Sequence, residues 1–221
     1  VTDYAVAGQE LAKLLEREWV VTNGIGGYAA GTLSGTNTRR YHGLLVAATE
    51  PPAGRCVRLA NLIEEVVVGG ESYDLSTNEF ANGTLHPRGW PTLTRFRLVG
   101  NRPEFRYRVG DAETVKTIWM DHGANRTRLL YTVRGGDVEL RVRPLVTDRD
   151  FHSETRAESL GAFAVEREGR RIMVRWDGKA VLRIEADRDL EFEPSDDWFW
   201  NVAHRKERAR GFDFLEDLWC P

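Results

Sequence analysis

Cysteine and lysine are scarce in this 221-residue chain, and long apolar runs are missing altogether. Cys56 and Cys220 stand far apart and build no disulfide framework, which points to a reduced, intracellular protein. No apolar run approaches the length of a membrane span. The opening VTDYAVAGQELAKLL lacks the basic stretch and apolar core of a signal peptide. The expectation is a soluble, cytoplasmic protein with no membrane partner. Excess charge is also missing: the formal net charge is -3 and the pI about 6.0, so there is no electrostatic case for nucleic acid. Lysine occurs only at Lys13, Lys116, Lys179 and Lys206, leaving arginine to carry the positive charge. That bias reflects base composition more readily than ion pairing.

A Pro/Ser-rich linker, an internal repeat and a low-complexity tract are absent as well, and one domain is the simplest account. A domain of this length buries roughly 70–75% of its unfolded surface and needs neither disulfide nor metal. From Trp19 onward the dominant period is two. Phe105, Tyr107 and Val109 alternate with Arg106 and Arg108; Val138, Leu140 and Val142 with Glu139, Arg141 and Arg143. Ile172, Val174 and Trp176, then Leu182 and Ile184, repeat the pattern. Such alternation puts one set of side chains on a core face and the other toward solvent. Turn signals such as Gly69-Gly70, Gly135-Gly136 and Asp177-Gly178 separate the runs. The prediction is an all-β, two-sheet sandwich over residues 1–221 with short peripheral helices. One helix is expected over Gln9–Arg17, with Leu11, Leu14 and Leu15 on one face. Another is expected from an Asp196 or Asp197 cap through about Arg210, ended by Gly211.

What is abundant is glycine, concentrated in Trp19–Ala47, WVVTNGIGGYAAGTLSGTNTRRYHGLLVA. This density suits turns with positive φ, or backbone that another surface approaches closely. The segment also carries Asn23, Asn37, Arg39, Arg40, Tyr41 and His42, residue types that bind sugars, anions or partner carboxylates. It is therefore a functional loop or a docking surface. Asn37 and Arg39–His42 are expected together on one exposed rim. Structural ion pairs for the arginines and a core position for Tyr41 are the competing reading. For His42, a structural hydrogen-bonding role and a substrate contact are equally open.

Other chemistries find little support. Gly24-Ile25-Gly26-Gly27-Tyr28-Ala29 fits G-x-G-x-x-A, but the following AGTLSGT is a poor helix former, so no nucleotide site is expected. No histidine pair has metal-ligand spacing, and no metal or cofactor is expected. Ser34 does not sit in a nucleophile elbow. Glu64-Glu65 are adjacent on a strand and point to opposite faces, a poor arrangement for glycoside hydrolysis. Asp196-Asp197 read as a helix cap and Glu216-Asp217 as a solvated or interface pair. Trp119 and Trp176 read as core, whereas the Trp198-Phe199-Trp200 cluster spans both faces and reaches a surface.

TNGIGGYAAGTLSGTNTRRYHGLLVA resembles the N-terminal domain of bacterial and archaeal glycogen debranching enzymes of the amylo-α-1,6-glucosidase type. The likeness continues in Pro51-Pro52-Ala53-Gly54-Arg55, His86-Pro87-Arg88-Gly89-Trp90 and Arg143-Pro144-Leu145-Val146. Asp148-Arg149-Asp150-Phe151-His152, Glu207-Arg208-Ala209-Arg210-Gly211-Phe212-Asp213 and Glu216-Asp217-Leu218 complete it. The resemblance implies a β-supersandwich of the galactose-mutarotase type, joined to a C-terminal (α/α)6 barrel that carries the catalytic carboxylates. No catalytic residue is then expected in this chain, which is read as an excised domain with the barrel and an α-glucan as its partners. Asn23, Asn37 and Arg39–His42 would be substrate-binding or barrel-facing. A free-standing carbohydrate-binding or mutarotase-like sandwich and a purely structural domain are the alternatives.

Overall fold

Period-two patterning becomes sheet throughout. The computed structural model describes residues 2–51, 53–159 and 161–221; it is 58% strand and 7% helix, an all-β sandwich. Pro52, within one of the blocks noted above, lies outside the described residues. One antiparallel sheet runs, in spatial order, Thr2–Ala5, Leu93–Val99, Arg102–Val109, Ala112–Met120 and Thr127–Arg134. The larger sheet runs Asp197–Ala203, Leu215–Cys220, Val138–Asp150, Gly54–Val68, Gly43–Glu50, Tyr28–Thr32 and Glu18–Thr22. Glu71–Asp74 pairs with the outer end of Gly54–Val68.

The sheets face each other across Phe96, Phe105, Tyr107 and Ile118 on one side and Trp19, Val21, Leu59 and Leu62 on the other. Trp19 and Phe105 meet edge to face, with ring centroids 5.8 Å apart. Inside this core Lys116 lies 2.7 Å from Glu64, which also accepts the Tyr131 hydroxyl. The larger sheet is buried on its other face too, where Val57, Ile63, Leu145 and Leu218 pack with Phe80, Phe151 and Phe199. Burial on both faces explains why Gly54–Val68 shows no clean alternation, with Leu59, Ala60, Leu62 and Ile63 all buried.

A smaller meander, Phe163–Glu168, Arg171–Trp176 and Lys179–Glu185, turns at Asp177-Gly178, both with positive φ. It stacks Phe163 on Trp219, 4.7 Å between centroids and 6° between planes. A two-stranded ribbon, Thr77–Glu79 with Leu85–Arg88, is the remaining sheet among the described residues.

The first helix forms over Leu11–Glu16 and buries Leu14 and Leu15. The second corrects the sequence reading. Asp197–Ala203 is a strand, and only Arg205–Ala209 is helical before Gly211, at φ 77, ends the turn. The run of aromatics in DWFWNVA favours a strand, and Leu215–Cys220 supplies its partner. Asp196 caps no helix; its carboxylate accepts the Trp219 indole N–H at 2.8 Å. Three further expectations fail. Glu216 and Asp217 are both buried; Trp119 and Trp176 are only half-buried; and Val142, at 39% exposure, faces solvent. Trp119 lies at the surface, with the Arg102 guanidinium 5.1 Å from its ring.

Candidate functional site

The glycine-dense segment folds as two tight loops on the ends of Tyr28–Thr32. In the first, the Asn23 side-chain oxygen accepts the N–H groups of Ile25 and Gly27 at 3.1 and 2.9 Å. Its amide donates to Ala124 O and to the Asn125 side chain. A Cβ on Gly24 would lie 2.4 Å from the His122 ring, and one on Gly27 2.4 Å from the Asn23 amide. The surface that approaches these glycines is therefore the chain's own 121–126 loop. Asn23 is fully buried and builds the loop. The strand Tyr28–Thr32, where a dinucleotide fold needs a helix, removes the nucleotide reading.

The second loop, residues 33–42, is closed by acceptors and donors from distant sequence. Asn37 donates to Ala60 O at 2.8 Å, and Thr38 N–H donates to His42 Nδ1 at 3.2 Å. The loop's carbonyls are met one by one. Asn37 O faces His204 Nδ1 at 3.3 Å, and Thr38 O accepts from Lys206 N. Arg40 O accepts from Arg149 Nη2 at 2.8 Å, and Tyr41 O from the Tyr28 hydroxyl at 2.8 Å. Buried backbone acceptors need such partners, and a loop holding this many is rigid.

Beneath it lies a buried ionic hub. Arg149 grips Glu216 through two nitrogens, and His204 Nε2 approaches the same carboxylate at 2.9 Å. Burial alone would raise the Glu216 pKa, but Arg149 and then His204 outweigh it and hold it at about 2. His42 is buried, and that burial pushes its imidazole below its ordinary value despite the nearby Glu18 carboxylate. Because Nδ1 accepts from Thr38, the neutral ring carries its proton on Nε2. The His42 ring, with Arg39 and Lys206, holds Glu18 well below the usual carboxylate range. The shortest contact is Arg39 to Glu18 at 2.8 Å, so Arg39 does most of the pairing.

The expected single exposed rim is thus corrected. Asn37 and His42 are buried, and Arg40 is mostly enclosed, donating to His152 O at 2.8 Å and Glu154 at 3.0 Å. Burial raises the Glu154 pKa even beside that guanidinium. Arg39 and Tyr41 do reach the surface. Strand alternation is not the cause, because residues 39–42 form a turn closed by His42 N–H on Arg39 O at 3.0 Å.

Around Tyr41 the structure adds residues that sequence reasoning missed. Tyr41 meets Phe151 and His152 edge to face at 5.5 Å each, and its hydroxyl lies 3.2 Å from His152 Nδ1. The Arg40 guanidinium sits between the rings of Tyr41 and Phe212, at 5.7 and 5.1 Å. Arg210 covers Phe212 at 4.8 Å, and Phe212 is itself 48% exposed. The only sequence signal for Phe151, His152 and Phe212 was their place in the blocks that carry the family resemblance. The result is a patch of aromatic faces interleaved with guanidinium groups on a rigid base. Aromatic faces of this kind suit stacking, and guanidinium groups suit hydroxyl or carboxylate oxygens.

Each carboxylate pair considered for hydrolysis has at least one member already engaged: Glu64 with Lys116, Asp196 with the Trp219 indole, and Glu216 with Arg149. Among the described residues no group of three His, Cys, Asp or Glu side chains is placed to hold a metal ion. No helix is long and apolar enough to cross a membrane.

Compared with known families, residues 17–221 match a model described as glycogen debranching enzyme N terminal. No curated protein and no solved structure matches the chain.

Proposed function

Since the chain belongs to the glycogen debranching enzyme N-terminal family, we propose that it is the non-catalytic part of such an enzyme, packed against a catalytic helical barrel of the same polypeptide. In this reading the patch of Arg39, Arg40, Tyr41 and Phe212 faces the barrel and borders its α-glucan site. Asn23, Asn37 and His42 act from beneath, by holding that patch in place. The observation that carries the proposal is the contrast between the half-exposed Tyr41–Phe212 surface and the buried loop that supports it, whose carbonyls at Asn37, Thr38, Arg40 and Tyr41 all meet partners. A half-exposed phenylalanine beside an arginine clamp is the composition of an interface centre.

The test is made in the longer enzyme. Tyr41→Ala and Phe212→Ala should lower kcat/KM on a branched α-glucan by about tenfold, a loss of about 1.4 kcal/mol in transition-state stabilisation. The melting temperature should move by no more than about 2 °C, as expected for a change outside the core. Unchanged kcat/KM in both variants would remove the patch from the site.

A further inference from the structure

The strand Asp197–Ala203 carries an exposed indole that the reading above does not use. Trp200 is 52% exposed, and Trp198 lies behind it on the same side of the strand, ring centroids 5.7 Å apart and planes tilted by 32°. The strand forms the edge of the larger sheet. Exposure of Trp200 is built by a β-bulge. Phe199 pairs with Leu218 and Val202 with Glu216, so Trp200 and Asn201 together oppose Asp217 alone. Bulges re-aim side chains and recur beside binding sites.

This bulge is braced from below. Asn201 takes a left-handed backbone, φ 56, and its N–H donates to the buried Asp217 carboxylate at 2.8 Å. The other Asp217 oxygen accepts from Ala157 N, while Arg156 donates to the Asn201 side-chain oxygen at 3.1 Å. Asn201 O accepts from Ala81 N at 3.0 Å. A buried carboxylate and a left-handed asparagine are thus spent on holding one indole outward.

Donors edge this exposed face. Trp19 and Trp219 place their indole N–H groups on Thr32 O and Asp196. Among the described residues, neither the N–H groups of Trp198 and Trp200 nor the Asn201 amide nitrogen has an acceptor in the chain. A flat apolar face edged by free donors matches a pyranose ring, which offers C–H groups on its face and hydroxyl oxygens at its rim.

We propose that Trp200, backed by Trp198 and flanked by Asn201, is a stacking platform for an α-glucan chain, on a different element from the Tyr41–Phe212 patch. The choice of glucan as ligand rests on the family reading given above.

Native electrophoresis of the chain through gels with and without glycogen reads this contact directly. Glycogen should retard the unmodified chain. Trp200→Ala should weaken the apparent affinity about tenfold or more, and Trp200→Phe, which keeps a ring, should fall between the two. Leu130→Ala, which trims an exposed apolar side chain on the other sheet, should leave retardation unchanged. Matching melting temperatures show that each variant is folded. Retardation that survives Trp200→Ala intact, or a chain that glycogen does not retard at all, overturns the platform. Either result leaves the Tyr41–Phe212 patch standing, because that role is read from kcat/KM in the longer enzyme.

Discussion

Arg149 shows how much one side chain carries here. It neutralises the buried Glu216 and donates to the carbonyl of Arg40, tying the last strand to the 33–42 loop. Removing one partner of a buried pair leaves the other charge without compensation, whereas an exposed pair contributes little. Arg149→Ala should therefore destabilise the chain by about 3–5 kcal/mol. Arg141→Ala, which breaks only the exposed pair with Glu139, should cost less than about 1 kcal/mol. Urea unfolding midpoints of the two variants check the contrast; equal losses would mean that the hub is not the anchor. Apart from Arg149's place in a block shared with the family, local patterning did not distinguish these arginines. Both lie on the same long strand, and only the partner strands decide which is enclosed.

At the level of elements, loops are fixed by close backbone approach as much as by turn chemistry. Gly89 is the sharpest case. Its φ of -76 is ordinary, so no left-handed backbone demands glycine. A Cβ at this position would lie 2.1 Å from the Leu75 carbonyl carbon, and Gly89 N–H donates to Ser76 O at 2.7 Å. Neither backbone can yield without losing the ribbon, so Gly89→Ala should cost about 3 kcal/mol. Gly8→Ala meets no neighbour within 4 Å and pays only the left-handed penalty, about 1 kcal/mol. Thermal melts of both variants check the difference; a milder effect at Gly89 would mean that the ribbon shifts freely. The strand Asp197–Ala203 makes the complementary point. Asp196 or Asp197 read locally as a helix cap, but pairing with Leu215–Cys220 overrode that reading.

Over the whole molecule, the hub sets the response to acid. The His42 pKa is depressed in the fold, so the unfolded chain binds the proton more readily, and stability declines as pH falls below about 6.5. Glu216 contributes fully above its ordinary 4.5 and loses that contribution as pH falls toward about 2. The interval between those values corresponds to about 3 kcal/mol. Glu18 acts in the same direction, and Glu154, raised by burial, in the opposite one. Melting temperatures should therefore drop in two stages, first through the histidine range and then below pH 4.5. Glu216→Gln should flatten the second stage. Calorimetry from pH 7 to pH 3 checks it, and a melting temperature that stays level between pH 4.5 and 3 counts against the hub.

The sequence by itself determined the fold class and the family. Period-two alternation and glycine turns are local signals, set by how successive Cβ atoms point and by which residues accept positive φ. Those rules placed Phe105, Tyr107 and Val109 inside and drew attention to residues 33–42. They could not say which loop residues stay exposed. Asn37 and His42 look as polar as Arg39 and Tyr41, yet the first two are enclosed because Ala60, His204 and Lys206 close over their loop. The patch likewise needs Tyr41, Phe151 and Phe212, which come from three separated stretches of chain. Contacts of that separation follow from strand order and register, so only the tertiary structure decided which of these side chains meet at the surface.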